Sequence, residues 1–355
     1  MLVLGIESSC DETAAALVDD LGRVHADVIH SQVALHAPYG GVVPELASRD
    51  HLRNIAPVVR ASLACAGIAL KDIDGVAVTN RPGLVGALLV GVQAAKGIAW
   101  ATGKPIVGVD HLMGHVLSAF LRRGDSDNPL PRYPYVCLLA SGGHTAIYRV
   151  DEPRANAIRE LGATRDDAAG EAFDKVAKLV GLAYPGGPRV DEFAARGQAT
   201  RIKLSAPMAS PSSLEMSFSG IKTQVAQIVA RAPHREPDAD RAVWVADVCA
   251  AFQAAVTGVL ARKVIEAATQ QRVNDVVLGG GVAANRELRR RVSELGAERG
   301  IRVLLPSPGS CTDNGAMIAY AGATRLARGE RDGWDLVVAS RTALERRTRK
   351  GRGKR

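Results

Sequence analysis

Aromatic side chains make up only 4% of the 355 residues, so the interior cannot be built on large rings. Cysteine is also thin. Cys10, Cys65, Cys137, Cys249 and Cys311 are scattered, odd in number and never at CxxC spacing. That excludes a disulfide framework and predicts reduced thiols in a cytoplasmic protein. Long apolar runs are missing too. The longest, Leu84 to Ala95, meets Lys96 and is too short to span a bilayer, so no membrane partner is expected. The opening stretch "MLVLGIESSCDE" has no basic start and reaches Glu7 early, which argues against a signal peptide. No GxGxxG follows a strand and no GxxxxGK[ST] occurs, which excludes a Rossmann dinucleotide site and a P-loop.

Small residues are plentiful instead, with 36 glycines and 47% hydrophobic content. This mix suits an α/β protein with tight turns and close helix–strand packing. The length suggests two domains or two lobes. The formal net charge of +8 is unevenly placed. Residues 341–355, "RTALERRTRKGRGKR", carry eight Lys/Arg against one Glu, leaving the other 340 residues near +1. Such a tail is either a solvated, disordered end or a handle for an anionic partner such as RNA.

"MLVLGIESS" reads as a buried strand ending in a polar turn, and "DETAAALVDDLGRVHADVIHS" as a hairpin turning at "DDLG". "YVCLLASGGHTAIYRVDE" repeats that plan later in the chain, which suggests two related lobes. The Pro- and charge-rich "RRGDSDNPLPRYP" reads as a linker. The expected division is residues 1–121, a linker at 122–134, residues 135–340, and the tail. "GEAFDKVAKLVGL" puts Phe173, Val176, Ala177 and Val180 on one helix face. "GLVGALLVGVQAAKGIAWATG" reads as a buried helix ending at Gly103, "NDVVLGGGVAANRELRRRV" as strand, glycine turn and helix, and "KLSAPMASPSSLEMSFSG" as a mobile loop.

"HLMGH" sets His111 and His115 four apart. On a helix they would share one face at roughly 5–6 Å between Cβ atoms, close enough for one ion. The ordinary alternative is a pair of surface histidines. Leu112 stands where a zinc peptidase needs glutamate, so peptide hydrolysis is a poor fit. Asp313 in "SCTDNGAMIA" is a third candidate ligand, although Thr312, Asp313 or Asn314 could equally cap the following helix. "LASGGHT", "LGGGVAANRE" and "YPGGPRVDE" are small-residue turns able to bring backbone amides close to an anion, against the plain reading as β-turns. Several such turns split between two lobes point to a nucleotide in an interlobe cleft.

Nine segments in order, from "GIESSCDETAAALV" through "GGVVPELASRDHL", "PGLVGALLVG", "HLMGH", "SGGHT", "DDAAGEAFDKVAKLVGLAYPGGP", "SFSGIKT" and "GGGVAANREL" to "CTDNGAMIA", resemble the tRNA N6-adenosine threonylcarbamoyltransferase family. They run from residue 5 to about residue 322. The resemblance implies an actin/hexokinase-like fold, two duplicated lobes around a nucleotide cleft. It implies transfer of a threonylcarbamoyl group from threonylcarbamoyl-AMP to N6 of the tRNA adenosine 3′ of the anticodon, at position 37, with release of AMP. It implies one divalent metal ion, iron first with zinc or magnesium as alternatives, on His111, His115 and Asp313. Its substrate contacts would fall on Leu139, Ala140, Ser141, Gly142, Gly143, Asp174, Gly187, Asp191 and Asn285. It names no catalytic residue, and it implies two protein partners, a degenerate paralogue of the same fold and a small P-loop ATPase. Arg81 in "NRPGL" stands where the family has glycine, and the tail lies outside the family core. An ATP-dependent kinase or ATPase of the same fold is the alternative, with Glu7, Asp11 or Glu12 as its carboxylate. A binding scaffold is a further one.

Overall fold

A computed structural model describes residues 1–124, 129–205, 208, 213–231 and 238–345. The chain forms two compact units.

The first unit holds a five-stranded sheet of β1 (Leu2–Glu7), β2 (Glu12–Asp19), β3 (Val24–Ser31), β4 (Gly75–Arg81) and β5 (Ile106–Asp110), in the order β3-β2-β1-β4-β5. β1, β2 and β3 form the antiparallel meander expected from "DETAAALVDDLGRVHADVIHS", while β4 and β5 join in parallel. Leu4, Ile6, Leu17, Val76 and Val78 are fully buried in its core. β1 is buried on both faces because helices cover both, which is why it reads as a continuous apolar run.

The second unit repeats the plan with β6 (Tyr135–Ala140), β7 (Thr145–Val150), β8 (Ile158–Ala163), β9 (Asp275–Gly279) and β10 (Arg302–Leu304), in the order β10-β9-β6-β7-β8. β6 pairs antiparallel with β7 and parallel with β9, and β9 pairs parallel with β10. Each sheet therefore places its first strand centrally, its second and third on one side, and its fourth and fifth on the other. The sequence echo between the two hairpins is a duplicated topology. In the helix Ala169–Leu179 the predicted face of Phe173, Val176 and Ala177 is buried, with Val180 just beyond it. Phe173 meets Phe252 edge to face with ring centroids 5.0 Å apart. Truncating either ring would cost about 3–5 kcal/mol.

Unit membership departs from sequence order. Residues 306–345 and 151–158 belong to the first unit. The helix Gly315–Ala327 lies directly on β1 and β2, because Gly5 and Gly315 have no Cβ to hold it off. A Cβ on Gly315 would come 2.6 Å from the Ala16 amide nitrogen. Residues 341–345 are also ordered, whereas the sequence placed them in the tail: Leu344 is buried, and Thr342 Oγ1 and the Ala343 amide donate to Asp110 Oδ2 at 2.6 and 2.9 Å. The rest of the tail, 346–355, lies outside the described residues, as does most of the loop from Ala206 to Ser212 and residues 125–128 of the linker.

The helix Val85–Thr102 ends where expected, at Gly103 with φ +67°, a left-handed conformation that glycine adopts readily. It buries only one face, through Ala87, Leu88, Gly91, Val92, Ala95 and Ala99. That helix and the segment Asp240–Gln271 are each long and apolar enough to cross a membrane. The second is mostly packed inside its unit, as a core helix would be.

Candidate functional site

The first cluster is built by a short helix. β5 ends at Asp110, whose Oδ1 accepts from the Leu112 amide at 3.0 Å and caps the helix His111–Leu117. Every residue of that helix is buried, so its histidines are not a surface pair. Gly114 lets it settle on Met317 and Ile318, where a Cβ would meet side-chain carbons at 3.0–3.1 Å. This packing sets His111 and His115 against the turn that precedes the helix Gly315–Ala327.

In that turn Asn314, not Asp313, is the cap: its Oδ1 accepts from the Met317 amide at 2.9 Å. Asp313 is therefore spared for the histidines. Its Oδ1 lies 3.0 Å from His115 Nε2 and 3.5 Å from His111 Nε2. The three donor atoms lie within 4.8 Å of one another and could hold a metal ion. Three protein ligands leave positions open for a substrate, as catalytic rather than structural sites do.

Behind His111 stands Glu7, the last residue of β1. Its Oε2 lies 2.9 Å from His111 Nδ1 and accepts from Thr79 Oγ1 at 2.6 Å, and its Oε1 accepts from the Ser9 amide at 2.5 Å. A carboxylate on Nδ1 directs the other nitrogen, Nε2, outward to a metal and strengthens it as a ligand. Burial disfavours the Glu7 carboxylate, but the His111 charge holds its pKa below the usual value. Burial likewise opposes a charged His111, yet Asp313 and then Glu7 push its pKa up to about 10. Without an ion, the cluster binds a proton on His111. His115 Nδ1 is buried without a partner among the described residues, so its ring lacks such an anchor.

Glu7 is thus committed to His111, Thr79 and Ser9, not free to deprotonate a substrate. Glu12, pushed up to about 10 by burial and then by Asp313 and Asp11, also fails as a base at neutral pH. The kinase alternative loses those two carboxylates. The role of Glu7 was missed by sequence; its only signal was an acid closing an otherwise apolar strand.

The second cluster lies in the second unit, at the carboxyl ends of the parallel neighbours β6 and β9. Leu139 and Ala140 are fully buried strand residues, so only their backbones could meet a ligand. Ser141 closes the turn, its amide donating to the His144 carbonyl at 2.7 Å. A Cβ on Gly142 or Gly143 would meet nothing within 4 Å. Gly280, at φ +83°, presses against Ala140, which brings the "GGG" turn beside the "SGGH" turn. Gly170, opening the helix Ala169–Leu179, donates to the Ser141 carbonyl at 3.1 Å.

One turn further along that helix, Asp174 Oδ1 accepts from the Gly186 amide at 2.7 Å. Gly187 next to it faces open space. Asp191 is bound by Arg286 Nε at 2.7 Å and by Asn285 Nδ2 at 3.3 Å. Asn285 also donates to Gln253 Oε1 at 2.8 Å, while its Oδ1 caps the helix Arg286–Glu298 through the Leu288 amide. Gln253 and Arg286 were not singled out from sequence: Gln253 lies mid-helix away from any turn, and Arg286, although inside "LGGGVAANRE", gives no local sign that it reaches Asp191, 95 residues away.

A family model described as "TsaD: tRNA N6-adenosine threonylcarbamoyltransferase" matches residues 23–320. A tRNA N6-adenosine threonylcarbamoyltransferase of Sorangium cellulosum (strain So ce56) is 62% identical over 361 residues, covering 100% of both chains. One of Syntrophobacter fumaroxidans is 50% identical over 322 residues, covering 90% of this chain and 93% of its own. Among solved structures, T. kodakarensis HypF aligns with a TM-score of 0.59 at 13% identity over 92% of this chain and 48% of that one. The component A of Acidaminococcus fermentans (R)-2-hydroxyglutaryl-CoA dehydratase aligns at 0.54, with 16% identity over 92% of this chain and 99% of that one. Those structural likenesses show the fold alone, the actin/hexokinase-like one that the two sheets display. Relatives matched at half or more identity over nine-tenths of the chain, on a fold that sets two imidazoles beside a carboxylate and glycine turns at strand ends, place this chain in the tRNA N6-adenosine threonylcarbamoyltransferase family, the transferases that form N6-threonylcarbamoyladenosine in tRNA.

Proposed function

We propose that the donor is threonylcarbamoyl-AMP, that its adenylate lies on the turns after β6 and β9, and that the acceptor is N6 of the adenosine at position 37, 3′ of the anticodon, in tRNAs reading codons that begin with A. The N6 amine attacks the carbamoyl carbonyl carbon. The bond from that carbon to the phosphate oxygen breaks, AMP leaves, and N6 gives up one proton. A mixed anhydride is already activated, so the protein's task is positioning and charge stabilisation. No side chain is assigned as a base. The observation that carries the placement is the open space over Gly142, Gly143 and Gly187, beside amides at strand ends. Asp174 and Asp191 suit ribose hydroxyls, as charged acceptors.

His111, His115 and Asp313 would hold a divalent ion. Two imidazoles and one carboxylate suit iron or zinc better than magnesium, which prefers oxygen, and iron is our first choice. When bound, such an ion supplies positive charge able to stabilise an anionic oxygen of a substrate. The partners are a degenerate paralogue of the same fold and a small P-loop ATPase. The exposed side chains of Val85, Leu89 and Trp100 on the helix Val85–Thr102, Trp100 being 77% exposed, support a protein partner. Five free cysteines support a reducing, cytoplasmic setting.

The test is Gly143→Ala. The free protein has room for the methyl group, so its melting temperature should hold. An adenylate seated on the turn should be pushed off, weakening AMP binding at least tenfold in calorimetry. Unchanged AMP affinity would remove the adenylate from this turn.

A further inference from the structure

A cavity of about 500 Å³ in the first unit is not used by the reaction described above. It opens beside the ends of β4 and β5 and is lined by four arginines, Arg81, Arg154, Arg325 and Arg328, with three carboxylates, Asp110, Glu330 and Asp332. The carboxylates are all engaged by protein donors. Glu330 takes Arg325 at 2.7 Å and Arg328 at 2.8 Å. Asp332 takes Arg325 at 3.0 Å and the Gly108 amide at 2.7 Å. Asp110 is turned to Thr342, Ala343 and Leu112.

Two guanidinium groups remain. Arg81, half-buried at the end of β4, has no side-chain partner among the described residues. Arg154 has only an exposed pairing with Glu152 at 3.3 Å, of the kind worth little in water. Asn156, next to them in the lining, keeps an unpartnered amide among the described residues. Arg328 donates to the Pro153 carbonyl at 3.1 Å and pins the segment bearing Arg154 and Asn156 to the rim. Ala343 also lines the cavity, and the chain continues two residues beyond it into residues 346–355, which carry seven Lys/Arg and no acid.

We propose that this pocket is a second contact for the tRNA substrate, gripping phosphodiester oxygens through Arg81 and Arg154, with Asn156 donating beside them. Guanidinium forks match phosphate oxygens in pairs. The pocket has no aromatic side chain to stack on a base, so it holds backbone and does not read sequence. The proposal rests on tRNA being the substrate, not on where the adenylate lies.

Arg81→Gln and Arg154→Gln remove charge while keeping much of the side-chain volume. Each phosphate contact contributes about 0.7–0.9 to the slope of log affinity against log salt, which is about four- to fivefold in affinity between 1 M and 0.15 M salt. The double variant should therefore bind tRNA about 20-fold more weakly at 0.15 M salt, with a slope shallower by about 1.5. The difference should close toward 1 M, and replacing both arginines with Lys instead of Gln should keep most of the slope. AMP affinity and melting temperature should not move. Unchanged tRNA affinity and slope would overturn the proposal. So would an equal loss of AMP binding, which would place the effect on the adenylate site, or binding of inorganic phosphate at Arg81 with tRNA affinity unmoved.

Discussion

Replacing Glu7 with Gln tests the proposed metal cluster at its least visible member. The carboxylate accepts from three donors: His111 Nδ1 at 2.9 Å, Thr79 Oγ1 at 2.6 Å and the Ser9 amide at 2.5 Å. An amide has one oxygen, so at least one donor must face its NH2 group. An unmet buried donor costs about 1–3 kcal/mol of stability. Loss of an outer carboxylate on a ligand histidine weakens metal affinity about 10- to 100-fold, or roughly 1.4–2.7 kcal/mol. Proton competition opposes that loss. With the His111 pKa at about 10, an ion binding at pH 7.5 must displace a proton at a cost of roughly 3 kcal/mol. Removing Glu7 lowers that pKa and relieves the competition. The variant's disadvantage should therefore be small near pH 7 and grow as pH rises toward 9.5. A chelator-competition titration with cobalt(II) at several pH values reads the affinity, and histidine NMR of the metal-free protein reads the pKa. A loss independent of pH, or no change in His111 titration, would refute the reasoning.

His115→Ala should lose most bound metal, since two ligands hold an ion poorly, and elemental analysis at unchanged fold would show it. Asp174→Asn keeps an oxygen for the Gly186 amide and should weaken AMP binding severalfold without lowering the melting temperature; unchanged affinity would remove Asp174 from the ribose. In metal-free protein the raised His111 pKa contributes stability that is full below the unfolded value of 6.5 and lost as pH rises through about 10. Denaturant titrations of wild type and His111→Gln across that window should converge. Glu12, also raised to about 10, has the same sign, so Glu12→Gln should raise the melting temperature at pH 8 by several degrees, the gain fading toward pH 4.5.

Local chemistry was legible along the chain; long-range juxtaposition was not. The "SGGH" turn, the hairpin closed at "DDLG" and the buried face of Phe173, Val176 and Ala177 each follow from neighbouring residues, through turn chemistry and helical period. The two histidines were legible as a pair, but their burial was not, because Gly114 and the helix Gly315–Ala327 that cover them meet only in the fold. Glu7 lies 104 residues from His111, a separation at which no spacing rule operates. The capping ambiguity among Thr312, Asp313 and Asn314 could be resolved only by geometry, which gave the cap to Asn314 and left Asp313 to the histidines. The return of residues 306–345 to the first unit was hidden for the same reason: Gly5 and Gly315 permit close approach without announcing what approaches.

The most direct measurement supplies the metal-loaded protein and its partner proteins with tRNA, threonine, bicarbonate and ATP, digests the RNA, and seeks the modified nucleoside by mass spectrometry. The account predicts N6-threonylcarbamoyladenosine from wild type, with a large loss in both His115→Ala and Gly143→Ala. Absence of the nucleoside from wild type, in a mixture shown to make threonylcarbamoyl-AMP, would contradict it, as would full yield from both variants.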